Sequence, residues 1–182
     1  ILVFLVILMM NVSAQAGPIR LRLPDTTAME KDTISYPVMV DSTFSGENVL
    51  SFQLQITYNA NLLEVIDIVS AGALTEGWSN IEYTSPQVGT LSLAAAGSTP
   101  LSGKGVLFWI RFYAKSNGNS SMQFDPDESN LLNEGSPPLI LEDGSIAVSA
   151  LPVITVSPDT DVLLSGETRQ FNVSGGTPAY TW

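Results

Sequence analysis

The residues best equipped for chemistry in this chain form an oxygen-rich segment, Asp125-Pro126-Asp127-Glu128-Ser129-Asn130. Calcium prefers carboxylate and amide oxygens, so Asp125, Asp127 and Asn130 are the candidate ligands of a weak calcium site. The segment is not an EF-hand, because Gly is absent from the sixth position, the twelfth holds no Glu, and Pro follows the first Asp. An exposed acidic turn is the alternative interpretation.

Catalysis would also depend mainly on carboxylates, since the chain contains no His and no Cys. That composition excludes a Ser-His-Asp triad, a Cys-His pair, an HExxH zinc helix and a thiolate metal cluster. A glycosidase needs two acids held roughly 5 to 10 Å apart across a cleft. Glu64 and Asp67 are close in sequence, as are Glu142 and Asp143, but nothing in their spacing holds a pair across a cleft. We therefore predict that the chain is not an enzyme.

The charge balance restricts the partners. Asp and Glu number 18 against 7 Lys and Arg, which gives a net charge of -11 at pH 7. A negative long-range field repels phosphate backbones and anionic lipid surfaces unless a local patch overrides it. Because the cationic residues are scattered along the sequence, we expect no binding of nucleic acid.

The N-terminal residues have the pattern of a targeting segment. An unbroken apolar run, Ile1 to Met10, precedes the small-residue cleavage pattern Ala14-Gln15-Ala16, which predicts a signal peptide over residues 1–16 and a secreted or cell-surface protein. The run is shorter than the roughly 20 residues of a membrane span, so no insertion is expected after cleavage. A basic n-region and an initiator Met are missing, so we expect the sequence to start inside a longer reading frame. A truncated membrane helix is the alternative.

The elements that must position any site are β-strands, because apolar and polar residues alternate in short runs separated by Gly, Pro, Asn and Ser turns. Leu50 to Tyr58 is the clearest run, with Ser51, Gln53, Gln55 and Thr57 on its polar face. Pro37 indicates an edge strand. No amphipathic helix is evident, which favours an all-β fold, an antiparallel β-sandwich with jelly-roll topology over residues 18–149. The other predicted strands are Ile19–Leu23, Ile34–Val40, Leu62–Ser70, Ile81–Thr84, Thr90–Ala96, Val106–Ala114, Met122–Phe124 and Ser145–Val148.

A second module is predicted after a linker at residues 150–153. Val153 to Pro158 and Thr168 to Val173 read as the first strands of another sandwich, which residues 154–182 are too few to close. We therefore expect this second β-sandwich to be truncated. The stretch from Ser174 to Trp182 resembles the early part of bacterial Ig-like surface repeats.

Three segments of the first module resemble cohesin domains, the modules that receive dockerins in bacterial polysaccharide-degrading assemblies. Ile56 to Val65 is similar to the family's tyrosine-turn-Leu-Leu-Glu-Val element. Gly103 to Phe112 resembles its Gly-led strand of alternating apolar and basic residues, and Asp143 to Val148 resembles its terminal strand. The resemblance implies a jelly roll whose flat face binds a calcium-loaded dockerin without doing chemistry, with the calcium held mainly by the partner.

The binding face that this resemblance implies departs from the family pattern. In the best-known cohesin class the strand before the tyrosine turn presents an Asn and an Asp, and the matching positions here are Ser51 and Gln53. Neutral groups cannot make charge-assisted hydrogen bonds, which are roughly twice as strong as neutral ones. The candidate partner-binding residues are Ser51, Gln53, Gln55, Ser92, Ala94 and Ala96. The alternative is that they only form the solvated side of a half-buried sheet.

The aromatic residues suggest a different ligand, because sugar-binding modules of related jelly-roll shape stack pyranose rings on exposed Trp and Tyr. Trp78, Tyr83, Trp109 and Tyr113 are the aromatic candidates, and Trp109 and Tyr113 share one face of a strand, opposite Phe108, Ile110 and Phe112. Covering of these rings by loops or a neighbouring strand is the alternative. The sequence thus favours a non-catalytic dockerin-binding module, with direct carbohydrate binding and a structural spacer of a surface protein as alternatives.

Overall fold

The computed structural model describes residues 17–126, 129–157 and 162–175. Within these ranges the chain contains β-strands and no helix, so none could span a membrane. Residues 1–16, on which the signal-peptide prediction rests, lie outside the described part. In chain order the strands are β1 (Ile19–Arg22), β2 (Thr26–Met29), β3 (Thr33–Val40), β4 (Ser51–Thr57), β5 (Leu63–Val69), β6 (Glu82–Thr84), β7 (Thr90–Ala96), β8 (Gly105–Ala114), β9 (Gly118–Phe124), β10 (Leu131–Leu132), β11 (Leu139–Glu142), β12 (Gly144–Ser149), β13 (Thr155–Ser157) and β14 (Asn172–Ser174).

The strands up to β12 form two sheets that enclose one core. Sheet I has the order β11-β1-β3-β8-β5, and sheet II has the order β2-β12-β9-β4-β7-β6, with β10 added to β4. The sheets pack face to face, since Phe52 of β4 stacks on Phe108 of β8 with ring centroids 5.5 Å apart. The predicted all-β sandwich of jelly-roll type is confirmed.

The sheets are mixed, whereas the sequence predicted antiparallel ones. β1 pairs parallel with β11, and β2 pairs parallel with β12. The connection between β1 and β2 crosses from sheet I to sheet II beside the connection between β11 and β12. At this crossing the Leu23 amide donates a hydrogen bond of 2.8 Å to the Glu142 carbonyl. Alternation of apolar and polar residues shows which face of a strand is buried. It does not show whether the neighbouring strand runs parallel or antiparallel, so the sequence could not reveal this pairing.

Alternation did place the core correctly. Phe52, Leu54 and Ile56 of β4 are buried, while Gln53 between them is exposed. Pro37 predicted an edge strand, and part of β3 does lie at an edge of sheet I. That strand pairs with β8 along its whole length and with β1 only at Met39 and Val40, so Pro37 has a single neighbouring strand. The sequence missed β2, β10 and β11, which are short.

In the region predicted to begin a second module, the described residues form one antiparallel pair, β13 and β14. Apolar side chains around the pair are largely exposed, with Val153 at 79% and Val162 at 87%. Two strands alone do not bury a hydrophobic face. The Ig-like identity and the truncation of a second sandwich stay predictions.

A buried phenol gives the first module a testable dependence on alkaline pH. Tyr36 is fully buried, and its hydroxyl donates a 2.6 Å hydrogen bond to the Pro24 carbonyl. Burial, followed by the nearby Asp25 carboxylate, raises the pKa of Tyr36. A raised folded-state pKa stabilises the fold below the unfolded pKa of about 10, and this stabilisation is lost as the pH rises beyond it.

We therefore expect the free energy of unfolding to fall by up to about 1.4 kcal/mol per pH unit from this group above about pH 10. Tyr36→Phe should flatten that decline while costing about 1 kcal/mol at neutral pH through the lost hydrogen bond. Urea unfolding at a series of pH values measures both effects. Tyr83→Phe, which removes an exposed phenol, is the control. An equally steep decline in Tyr36→Phe would show that another group causes it.

Candidate binding face

The structure brings together all the polar and small residues that the sequence singled out on two strands. β4 and β7 are adjacent in sheet II, and their register forms the pairs Ser51–Ala96, Gln53–Ala94 and Gln55–Ser92. Paired residues of antiparallel strands project from the same face of a sheet. These pairs therefore form one continuous outward surface, and Gln53, Ala94 and Ala96 are exposed on it.

An open groove of about 630 Å³ runs over this surface, and we call it the Ala94 groove. Its floor includes Ser51, Gln53, Ala94 and Ala96. One wall contains Ser79, Asn80 and Glu82, and the other contains Leu131, Asn133 and Glu134. Sequence analysis did not identify the residues of either wall. These residues are far apart in the chain, and only the register of the paired strands brings them to opposite sides of one groove.

Asn133 builds the second wall. Its Oδ1 accepts hydrogen bonds from the amides of Leu50 at 2.8 Å and Ser51 at 3.1 Å, and its Nδ2 donates to the Asn48 carbonyl at 2.9 Å. Asn133 and Glu134 both have left-handed backbones, with φ of 41° and 63°. Asn is among the residues that best tolerate this conformation. The resulting turn leaves Glu134 exposed at the rim of the groove.

Gln55 is held by its neighbours, unlike Gln53. The Gln55 Nε2 donates to the Asp125 carboxylate at 2.7 Å, and its Oε1 accepts from the Ser92 hydroxyl at 3.2 Å. Gln53 is exposed, and its side-chain amide makes no hydrogen bond within the described part of the chain. Gln53 is therefore the better placed of the two to bind a partner.

The candidate calcium ligands Asp125 and Asn130 take part in structural contacts. Asn130 Oδ1 accepts a hydrogen bond from the backbone amide of Gln55 at 2.8 Å, and Asn130 Nδ2 donates to the backbone carbonyl of Asp125 at 2.6 Å. These bonds attach the turn after β9 to β4. Asp127 lies outside the described residues. Among the residues that the structure does describe, no three His, Cys, Asp or Glu are grouped as metal ligands would be. The calcium site stays a prediction.

The aromatic candidates are distributed over both sides of the sandwich. Trp109 and Tyr113 lie on the outward face of sheet I, half-buried, with Trp109 opposite Pro37 and Val69 of the flanking strands. They are thus remote from the Ala94 groove of sheet II. Tyr83 is 40% exposed on β6. Sugar binding by Trp109 and Tyr113 stays a prediction.

Trp78 has a structural role beside the groove. Its ring stacks on Phe52 with centroids 6.0 Å apart and planes 18° from parallel, and its Nε1 donates to the Thr99 carbonyl at 2.9 Å. The neighbouring Ser79 hydroxyl donates to the Ala96 carbonyl at 2.9 Å. These contacts hold the wall formed by Ser79 and Asn80 against β7.

Gly97 has no side chain, and the indole of Trp78 occupies the space that a Cβ at position 97 would need. A Cβ at position 97 would meet Trp78 Cε2 at 2.5 Å, far inside normal contact. We expect Gly97→Ala to displace Trp78 and to lower the free energy of unfolding by about 2 kcal/mol, which urea unfolding with Trp fluorescence measures. In a Trp78→Ala background the same change should cost little. Equal costs in both backgrounds would contradict the assigned clash.

Comparison with known proteins agrees with this architecture. The family model for the cohesin domain matches residues 19–148. The solution structure of CaCohA2 from Clostridium acetobutylicum is 18% identical with a TM-score of 0.62, covering 72% of this chain and 91% of that one. The Coh-OlpA-Doc918 type I cohesin-dockerin complex from Clostridium thermocellum is 19% identical with a TM-score of 0.60, covering 73% and 100%. A non-cellulosomal cohesin from the archaeon Archaeoglobus fulgidus is 20% identical with a TM-score of 0.55, covering 73% and 92%. No curated protein sequence matches the chain.

Proposed function

This chain belongs to the cohesin family, whose domains are non-catalytic protein-protein interaction modules, and we propose that it binds a calcium-loaded dockerin through the Ala94 groove. The observation that carries the proposal is the groove itself, an open concavity on a regular sheet with a floor of small side chains. Structural neighbours crystallised as cohesin-dockerin complexes support the choice of partner. As a cohesin domain, residues 19–148 are not an enzyme.

The chemistry of the floor suits a protein surface. Ala94 and Ala96 expose methyl groups that let a partner approach closely, while Gln53 offers an uncommitted donor and acceptor beside them. Interfaces combine such apolar contact at the centre with polar groups toward the rim. Since Ser51 and Gln53 stand where the best-known cohesin class carries Asn and Asp, we propose a partner specificity different from that class.

The cellular setting forms part of the same proposal. The signal-peptide pattern of residues 1–16 supports a secreted or surface-attached protein, and cohesin membership supports a role in polysaccharide degradation or cell-surface attachment. Residues 154–182 would then begin an Ig-like module carried by the same surface protein.

A pull-down tests the proposal. The purified chain is passed over immobilised dockerins, including those of the C. acetobutylicum and C. thermocellum complexes, with calcium and then with chelator, beside polysaccharide beads. We expect retention on at least one dockerin in calcium and release by the chelator, because metal removal unfolds the partner. Retention on polysaccharide alone would favour carbohydrate binding, and retention on neither would favour a spacer.

A further inference from the structure

The outward side of sheet I carries a second surface, on the opposite side of the sandwich from the Ala94 groove. Along β8, Trp109, Arg111 and Tyr113 alternate with Ile110 and Phe112, which are buried in the core. Alternate residues of a strand project from the same face, so the first three side chains point outward together. Trp109 and Tyr113 lie roughly 14 Å apart along the strand, at about 3.4 Å per residue. We call the surface formed by Trp109, Arg111 and Tyr113 the Trp109 platform.

The strands on either side of β8 divide the platform into an apolar end and a polar end. Trp109 pairs with Pro37 of β3 and Val69 of β5, which are half-buried, so the indole lies in an apolar row.

The next two rows are polar. Ser35 and Asp67 flank Arg111, Glu64 lies beside Tyr113, and all three flanking residues are exposed. The surface thus presents two aromatic rings with hydrogen-bonding groups between and beside them.

The polar atoms of the platform are not used by the fold. Trp78 and Tyr36, which are structural, each donate a hydrogen bond to a backbone carbonyl. Within the described residues, the Trp109 Nε1, the Arg111 guanidinium and the Tyr113 hydroxyl make no such bond, and no side-chain polar atom is buried without a partner. The three donor groups are therefore open to solvent. Because buried Trp and Tyr usually find a partner for these atoms, unused ones on one face indicate a ligand from outside the chain.

The chemistry of this surface matches a sugar chain. A pyranose ring has an apolar face of C–H bonds and a rim of hydroxyl groups. The faces of aromatic rings carry negative charge density and attract C–H bonds, while a guanidinium donates to hydroxyl oxygens and a carboxylate accepts from hydroxyl hydrogens. The two aromatic rings are farther apart than the width of one sugar ring, so a ligand that contacts both must be an oligosaccharide or polysaccharide.

The local charge indicates a neutral sugar. Asp67 and Glu64 are two carboxylates beside the single guanidinium of Arg111. The chain as a whole has a net charge of -11. This field repels uronic acids and sulfated sugars, which carry negative charge, and leaves neutral sugars unaffected.

We infer that the Trp109 platform binds a neutral polysaccharide that runs along β8. One sugar ring stacks on Trp109, a second stacks on Tyr113, and Arg111 donates hydrogen bonds to the hydroxyl groups between them. The inference is independent of the dockerin proposal. Because the two surfaces lie on opposite sides of the sandwich, a bound sugar chain leaves the Ala94 groove free.

Glycan binding by the full chain tests this inference. The probes are neutral hexasaccharides of glucose, xylose, mannose and galactose in their common linkages, the corresponding monosaccharides, and hexagalacturonate as the anionic counterpart. Titration calorimetry measures affinity, and Trp fluorescence reports contact with an indole. We expect at least one neutral hexasaccharide to bind with a Kd below about 1 mM and its monosaccharide to bind at least about tenfold more weakly, because one ring cannot reach both aromatic residues.

Substitutions locate the binding surface. Trp109→Ala and Tyr113→Ala should each lower the affinity at least about tenfold through the lost stacking. Trp109→Phe is the milder variant, which keeps a smaller ring; it should weaken binding less and abolish the fluorescence change. The matched control is Tyr83→Ala, which removes a 40% exposed ring from sheet II and should bind as the parent chain does. Thermal unfolding verifies that each variant is folded.

Three results would overturn the inference. They are no binding of any neutral hexasaccharide, binding of hexagalacturonate alone, and binding that the substitutions on β8 affect no more than Tyr83→Ala does. Retention on immobilised dockerin is measured separately, so none of these results decides the dockerin function.

Discussion

Ala94→Trp is expected to lower the affinity for a dockerin partner at least about a hundredfold, a loss of roughly 2.7 kcal/mol, while the domain stays folded. Ala94 is exposed at the middle of the row between Gln53 and Glu82. An indole there fills the space into which the partner must fit, and well-packed interface centres carry most of the binding energy. The fold should tolerate the change, because the side chain points to solvent and aromatic residues favour strands.

Titration calorimetry with the dockerin identified by the pull-down measures this effect. The control is Ala147→Trp, which places the same side chain at an exposed position of β12 in the same sheet, outside the groove. We expect Ala147→Trp to bind as the parent chain does. Unchanged affinity in Ala94→Trp would exclude the Ala94 groove as the interface, and equal losses in both variants would indicate a general effect on the sheet.

Gly144→Ala is expected to lower the free energy of unfolding by about 3 kcal/mol. Gly144 begins β12 where the chain has just crossed from sheet I to sheet II. A Cβ at this position would overlap the Leu23 carbonyl oxygen and approach the Pro24 carbonyl oxygen to 2.7 Å. Both obstacles are backbone atoms of the connection between β1 and β2, so relief requires this connection to separate from the start of β12.

Gly77→Ala is the matched control, because a Cβ there meets nothing within 4 Å. Urea unfolding of the two variants and the parent compares the costs, and we expect Gly77→Ala to differ from the parent by less than about 1 kcal/mol. A Gly144→Ala protein as stable as Gly77→Ala would show that the crossing can widen without loss of core packing.

The Ala94 groove combines one part that the sequence predicted with one part that the sequence did not suggest. Ser51, Gln53, Ala94 and Ala96 were predicted from alternation on two strands together with the family resemblance, and the structure places them side by side. Glu82 was overlooked because β6 is three residues long and exposed throughout. Glu134 was overlooked because it belongs to a turn. The consecutive Asn133, Glu134 and Gly135 are a turn signal that could have drawn attention to this position.

The sequence by itself determined the fold class, the buried face of each long strand and the exclusion of His- and Cys-dependent catalysis. These properties are local, because a residue's type and the alternation of its neighbours decide which side of a strand avoids water. The tertiary structure decided the parallel pairing of β1 with β11, the role of Gln55 in holding the turn at Asp125, and the acidic walls of the groove. Each of these depends on register between strands far apart in the chain, which is selected by the packing of the whole core and is not encoded in any one segment.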